Sequence, residues 1–384
     1  MLHRLRRLTH PIRAAFGLVL VCSLAAPALG TSTILSPTGD FAAGYEAHDY
    51  FGDQGSIDAF DVWSDRVVTW TTSGVQIFNR TSGAVEESLG GAPQAWFDGL
   101  PPELGVFPSF TTFDPGGESV WVGFTTEGNI DDRVYHVQQV GGQWQWEHKA
   151  TLLGNLELEF RGPDAYASAN PAAAAWGAEA AVYRLDTSMP GGVPATEHDL
   201  IAQIGGYASG LAFDAAGGLY YGTFVLSGVW PDSVSSGTLY QFAGDDVDQA
   251  IGDGHLVPSQ AIMLADLDAG IADVTVDQGG HVMFTANESN GPSYVAMWDG
   301  ENTGSGNNYD LIADGTGASG NYLVGLKPAG DFTAGGVLYV NDRAWGDPYV
   351  GVAGIRVVPE PSTLVMILCG AVGLLFWWWR RRNG

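Results

Sequence analysis

An aspartate followed within a few residues by paired glycines recurs along this 384-residue chain, and no other feature restricts its fold as much. The copies are Phe113-Asp114-Pro115-Gly116-Gly117, Phe213-Asp214-Ala215-Ala216-Gly217-Gly218, Val276-Asp277-Gln278-Gly279-Gly280, and Gly330-Asp331 through Gly335-Gly336. Each stands before a β-branched or aromatic run such as Val120-Trp121-Val122-Gly123-Phe124 or Leu219-Tyr220-Tyr221-Gly222-Thr223. The pattern reads as a tight hairpin, in which the carboxylate accepts nearby backbone N–H groups and a glycine supplies the positive φ that closes the turn. Asp61, ahead of Val67-Val68-Thr69-Trp70, reads as a weaker copy, and Pro163-Asp164 as a degraded one. The six anchors, near 61, 114, 164, 214, 277 and 331, are spaced by about 54 residues on average, close to the roughly 50-residue period of the longer propeller repeats.

A second strand follows in several units, at Val75–Phe78, Arg133–Val137, Thr238–Phe242, Tyr294–Trp298 and Gly351–Val357. Four strands per unit, six units, and faces that bury only against neighbours predict an all-β chain folded as a six-bladed β-propeller. A β-sandwich whose hairpins share turn chemistry is the alternative. Gly320 to Val357 forms the last blade, and Thr31 to Phe41 is expected to donate the strand that closes the ring. Helical spacing is confined to two short candidates, Asp245–Ile251 and Pro171–Ala181.

The two ends differ from this body. Arg4, Arg6, Arg7 and Arg13 precede an apolar run from Ala14 to Ala26 and small residues at Ala28-Leu29-Gly30. That order predicts a secretory signal peptide over 1–30, exported through the secretion translocon and removed by signal peptidase. At the other end Val358-Pro359-Glu360-Pro361-Ser362 leads into uncharged Thr363–Trp379 and then Arg380-Arg381-Arg382. The apolar stretch makes a helix of about 26 Å, enough for a transmembrane span, and the arginines favour the cytoplasmic side. The extracytoplasmic domain is therefore expected over 31–357, with a terminal segment over 358–384.

At those terminal residues the chain resembles bacterial envelope proteins that end in the PEP-CTERM sorting signal. Pro359, Glu360 and Pro361 match the family tripeptide, Thr363–Trp379 its membrane helix, and Arg380, Arg381 and Arg382 its basic tail. The resemblance implies recognition by an exosortase, a membrane transpeptidase-like protease, and release or attachment at the cell surface of an exopolysaccharide-producing bacterium. It covers about the last 27 residues and does not extend to the body.

Composition narrows the partners. Cys22 lies in the predicted signal and Cys369 in the tail, so the body has neither a disulfide nor a thiolate metal site. Between Thr31 and Val358, 9 basic against 42 acidic residues leave a formal charge of −33. Such a surface repels phosphate backbones, which excludes nucleic acid, and suits neutral glycans, divalent cations or plain solubility.

No His-Glu-x-x-His, Gly-x-Ser-x-Gly or phosphate-cradling loop occurs, and no catalytic residues are assigned. The turn at Asp114 resembles the Asp-box hairpins of sialidase-like propellers, where it is a structural element. For metal, Asp245, Asp246, Asp248 and Asp253, with Asp266 and Asp268, are the calcium candidates, since crowded carboxylates are hard ligands. Trp144 and Trp146 alternate along one strand beside Tyr135 and are the candidate sugar-stacking rings. The sequence thus predicts a non-enzymatic, exported binding or structural protein. A polysaccharide hydrolase or lyase is the alternative.

Overall fold

The computed structural model describes residues 42, 44–51, 59–71, 73–101, 104–126, 130–171, 179–186, 193–196, 199–228, 233–289, 293–304, 308–315, 321–344 and 351–358, with 378, 381 and 382 beyond them. Its strands form six antiparallel sheets arranged as a six-bladed β-propeller. Strand β1 (Tyr45–Phe51) precedes the first complete blade, β2 (Phe60–Trp63), β3 (Arg66–Thr71), β4 (Gly74–Asn79) and β5 (Val85–Gly90). Blade two is β6 (Val106–Phe113), β7 (Val120–Thr126), β8 (Arg133–Val140) and β9 (Gln143–Thr151). Blade three is β10 (Glu157–Arg161), β11 (Asp164–Ala169), β12 (Ala181–Leu185) and β14 (Leu200–Gln203), while the two-residue β13 (Val193–Pro194) pairs in parallel with β9.

Blade four holds β15 (Leu211–Phe213), β16 (Leu219–Gly222), β18 (Val234–Phe242) and β19 (Ile262–Leu267), with β17 (Val225–Ser227) on the early half of β18. Blade five is β20 (Gly270–Val276), β21 (Val282–Asn287), β22 (Ser293–Trp298) and β23 (Tyr309–Gly315). Blade six is β24 (Asn321–Ala329), β25 (Val337–Ala344) and β26 (Gly351–Val357), and its fourth strand is β1. The ring closes by pairing Tyr45 with Val357 and Phe51 with Val352, so the closing strand is Tyr45–Phe51. The expected donor, Thr31 to Phe41, lies outside the described residues.

Six apolar clusters hold the blades, one at each interface among the described residues. Blades one and two share Val68, Ile77 and Leu89 with Phe113, Val122 and Tyr135, and blades five and six share Met283 and Val295 with Leu326 and Leu338. The seam between blades six and one holds Phe60, Val67, Val337, Tyr339 and Val352. Sandwiching by both neighbours explains why middle strands such as β21 (Val-Met-Phe-Thr-Ala-Asn) are buried at every position, whereas the outer β5 is mostly exposed. Helices are scarce among the described residues of the blades: α1 (Gln94–Phe97) and α2 (Gly244–Asp253). The second agrees with the candidate at Asp245–Ile251. Of the other candidate, Ala181 opens β12 and most of the rest lies outside the described residues.

The repeated aspartates cap the turns between the first two strands of their blades. Asp114 Oδ1 accepts N–H groups of Glu118 (2.8 Å) and Ser119 (3.0 Å), and Asp214 Oδ1 those of Ala216 (2.9 Å) and Gly218 (2.8 Å). Gly117 supplies the positive φ of 69° and Gly280 that of 84°. Two anchors differ from this reading. Asp61 lies within β2, and the first blade turns at Ser64 (φ 58°) and Asp65, so its hairpin has no glycine. Asp164 starts β11 after a Gly162–Pro163 turn, and its carboxylate binds Arg184 at 2.8 Å rather than its own turn.

Gly123, in the middle of β7, has no room for a side chain, because a Cβ there would strike the Phe110 ring and the Asn155 amide. Gly123→Ala should cost about 1–3 kcal/mol, as overpacking does. Gly252→Ala, at an exposed position of α2 with nothing within 4 Å of the added Cβ, should gain about 0.5–1 kcal/mol from helix propensity. Urea unfolding followed by tryptophan fluorescence checks both.

Candidate functional site

Because each blade starts with its innermost strand, β2, β6, β10, β15, β20 and β24 form the ring around the axis, each against the next. They deliver Asp61, Glu157, Glu159, Asp273 and Lys327 to one place. Lys327, on β24, donates to Glu157 Oε1 at 2.9 Å and to Glu159, both on β10. Blades six and three are opposite each other in the ring, so this ion pair crosses the axis. Lys327 is 5% exposed, Glu157 7% and Asp273 1%, and these groups are cut off from the water that would solvate them.

One ammonium cannot balance four carboxylates, and the imbalance appears as retained protons. Burial pushes the Asp61 carboxyl up to about 6, against the pull of Lys327. Burial likewise raises Glu157 to about 7, with Lys327 opposing. Burial and then the neighbouring Glu157 hold Asp273 well above the usual carboxylate range. The four carboxylates around Lys327 raise its own pKa in spite of burial. Two of these acids also tie blades together: Asp61 Oδ2 accepts Phe113 N–H at 2.8 Å, and Asp273 Oδ2 accepts Leu326 N–H at 2.6 Å.

The turns above the axis surround a depression of about 350 Å³ lined by Asp61, Thr112, Glu159, Thr275 and Lys327. Asp114, Pro115 and Phe160 also line a groove of about 820 Å³ that runs outward over blade two. Trp121 on β7 pairs in register with His136 on β8, and their rings stack at 4.8 Å. Burial holds the His136 imidazole below its usual range, and its Nε2 lies 2.8 Å from Ser119 Oγ. Arg66 donates to Gly117 O (2.9 Å) and to Glu87 (2.7 Å), whose other oxygen accepts from Gln139 at 2.9 Å. Gln139 faces Trp144 across the β8–β9 pair. The groove therefore offers half-buried Trp144, two side-chain amides (Gln138, Gln139) and a carboxylate already neutralised by arginine.

Both predicted aromatics pack against the apolar cluster between blades one and two; Trp144 also lines this groove, whereas Trp146 donates to Leu89 O at 2.9 Å and packs with Tyr135. The expected calcium ligands are dispersed. Asp245, Asp246, Asp248 and Asp253 lie on α2, where Asp248 pairs with Arg161 at 2.6 Å. Asp266 and Asp268 come at the far end of β19, whose six residues carry the chain about 20 Å, and Asp266 accepts from Thr238 at 3.0 Å. The axial set was missed because Lys327 and Glu157 are 170 positions apart. The one signal available was polarity at alternating positions in otherwise apolar inner strands.

Pro359, Glu360, Pro361 and Arg380 lie outside the described residues, as do 1–30; Arg381 and Arg382 are helical, and Arg382 stands 5.0 Å from the centre of the Trp378 ring. No helix among the described residues is long and apolar enough to cross a membrane.

Neither a family model nor a curated protein matches the sequence. Solved structures match the fold. Two glucose dehydrogenases align over 82% of this chain and 99% of theirs, at 11% and 12% identity with TM-scores of 0.53 and 0.52. A polysaccharide lyase aligns over 81% of this chain and 92% of its own, at 8% identity and a TM-score of 0.40. At such identities the likeness concerns the fold alone.

The raised carboxyls set a pH dependence. The folded chain binds these protons more tightly than the unfolded chain, so stability should fall as pH rises from roughly 4 to 7. Melting temperature should be higher at pH 5.5 than at pH 8, and Glu157→Gln should flatten that slope. Lys327→Met, which strands buried carboxylates, should cost about 3–5 kcal/mol at pH 8 and less at pH 5.5; denaturant titrations at the two pH values measure the difference.

Proposed function

We propose that this chain is an exported envelope protein whose propeller binds a neutral extracellular polysaccharide in the groove over blade two. The observation that carries the binding half is the groove's lining, in which Trp144 stands beside the amides of Gln138 and Gln139 and the Arg66–Glu87 pair. An aromatic face takes the apolar face of a sugar ring, while planar amides and a carboxylate take its hydroxyls. Arg66 is the only cation among the described residues of the lining and is bound to Glu87, and the body carries 42 acidic residues. A polyanionic glycan is disfavoured on both counts.

The export half rests on the ends. Arginines lie on the outer side of two apolar segments, Ala14–Ala26 and Thr363–Trp379, which favours a cytoplasmic position for both and sends the propeller across the membrane. Pro359-Glu360-Pro361 ahead of the second segment makes an exosortase the partner that removes the tail.

Mass spectrometry of the protein from its producing cell should find an N-terminus at or near Thr31 and no residues beyond the Pro359–Pro361 region; Glu360→Ala should leave the tail attached. A full-length product retained in the cytosol would end the export reading. For binding, calorimetry of the full chain with neutral exopolysaccharide fragments should show saturation, with Trp144→Ala weakening it about tenfold, the scale of one lost ring stack. Release of shortened sugars during that titration would favour a polysaccharide-cleaving enzyme instead.

A further inference from the structure

Outside the axis and the groove, the geometry points to a divalent transition-metal site of the zinc type, formed by Asp277, His281 and Asp331 where the turns of blades five and six meet. Asp277 opens the turn after β20, His281 closes it, and Asp331 opens the corresponding turn after β24. The Asp277 side chain is fully enclosed. Its Oδ1 accepts His281 N–H at 2.8 Å and its Oδ2 accepts Phe332 N–H, from the next blade, at 2.7 Å. These two backbone donors fix the carboxylate plane and leave each oxygen a further lone pair.

Both oxygens lie 3.1 Å from His281 Nδ1, and Asp331 Oδ1 lies 3.9 Å from that same nitrogen. One ligand atom from each of the three residues falls within 4.8 Å of the others. Two ligands of one ion, each bonded at about 2.1 Å, stand no more than about 4.2 Å apart. Both contacts of the imidazole satisfy that limit. The two carboxylates meet it with a small rotation of Asp331, whose side chain is 36% exposed. In its present position Asp331 Oδ1 accepts from Thr333 Oγ1 at 2.9 Å and Ala334 N–H at 3.1 Å.

A separate observation concerns Gly279. Its φ is not positive, so backbone conformation does not require a glycine. Space does: a Cβ there would come within 2.6 Å of His281 Cε1 and 2.9 Å of Asp331 Cγ. The missing side chain lets the imidazole and the carboxylate come together over the turn. One imidazole with two carboxylates suits zinc, cobalt or manganese, with water filling the outer positions, whereas calcium prefers six to eight oxygens. Because Asp331 belongs to the next blade, the ion would clasp blade five to blade six beside the Asp277–Phe332 hydrogen bond.

The test uses full-length protein in detergent, stripped of metal with a chelator and titrated with Co(II), then with Zn(II) or Ca(II). One equivalent of Co(II) should give a visible absorption band that Zn(II) abolishes and a hundredfold excess of Ca(II) leaves intact. Zn(II) should also raise the melting temperature. His281→Gln and Asp331→Asn should each weaken Co(II) binding at least tenfold while the circular dichroism spectrum stays unchanged. Should His281→Gln fail to fold, Asp331→Asn decides alone. Absence of saturable binding at millimolar Co(II) would mean that a proton, not a metal, links His281 to Asp277. Equal affinity in the folded variants would place the ion elsewhere. Either result overturns the proposal.

Discussion

Lys327 reaches across the propeller axis to Glu157 and Glu159, and it does so from a position that water hardly touches. In a propeller each blade packs on its two neighbours, so opposite blades have no apolar surface in common. Here the axis is where blades six and three touch through charge. The ammonium must serve Asp61 and Asp273 as well, which leaves the acids in surplus and some of their protons in place. Only two lysines, Lys149 and Lys327, occur between the predicted signal and tail, and one of them is consumed here. Burying an ion pair costs desolvation that offsets its attraction, so its value lies in what its removal would strand.

Two of these acids, and one turn aspartate, stitch neighbouring blades. Asp61, Asp273 and Asp277 each use one oxygen to accept a backbone N–H from the next blade, at Phe113, Leu326 and Phe332. The Asp277 link falls in the turn, whereas those of Asp61 and Asp273 lie within their strands. Satisfying a buried backbone donor with a directional carboxyl hydrogen bond fixes the register between blades in a way that apolar packing does not. The seam between blades six and one has in addition the covalent route of the chain itself, because β1 enters the last sheet before the chain begins the first.

The groove follows from the same geometry. All six inner hairpins turn on one face, and the Asp114 turn is among the longer ones, so it forms a wall over Trp121, His136 and Trp144. The repeated turn thus shapes a surface as well as a fold. Its chemistry is held by neighbours: Arg66 from blade one and Phe160 from blade three border a floor supplied by blade two.

Much of the architecture was legible from local pattern. Turn aspartates at 114, 214, 277 and 331, the strands that follow them, the count of six and the short helix after Gly244 all rest on forces between residues near in sequence, which leave a periodic trace. Asp61 shows the limit of that trace: its spacing suggested a turn, yet it sits inside a strand, because the repeat interval does not tell a capping carboxylate from an axial one. The grouping of Lys327 with Glu157, the meeting of Asp277 with Asp331, and the dispersal of Asp245–Asp253 from Asp266 and Asp268 depended on which blade stands beside or opposite which. Closure of the ring settles that, and closure is a long-range event in which a strand at Tyr45–Phe51 completes a sheet begun at Asn321. Turn chemistry and β-propensity, both local, specify the repeating unit; where the charges converge follows from closure of the ring, since distance in space is not a local property of the chain.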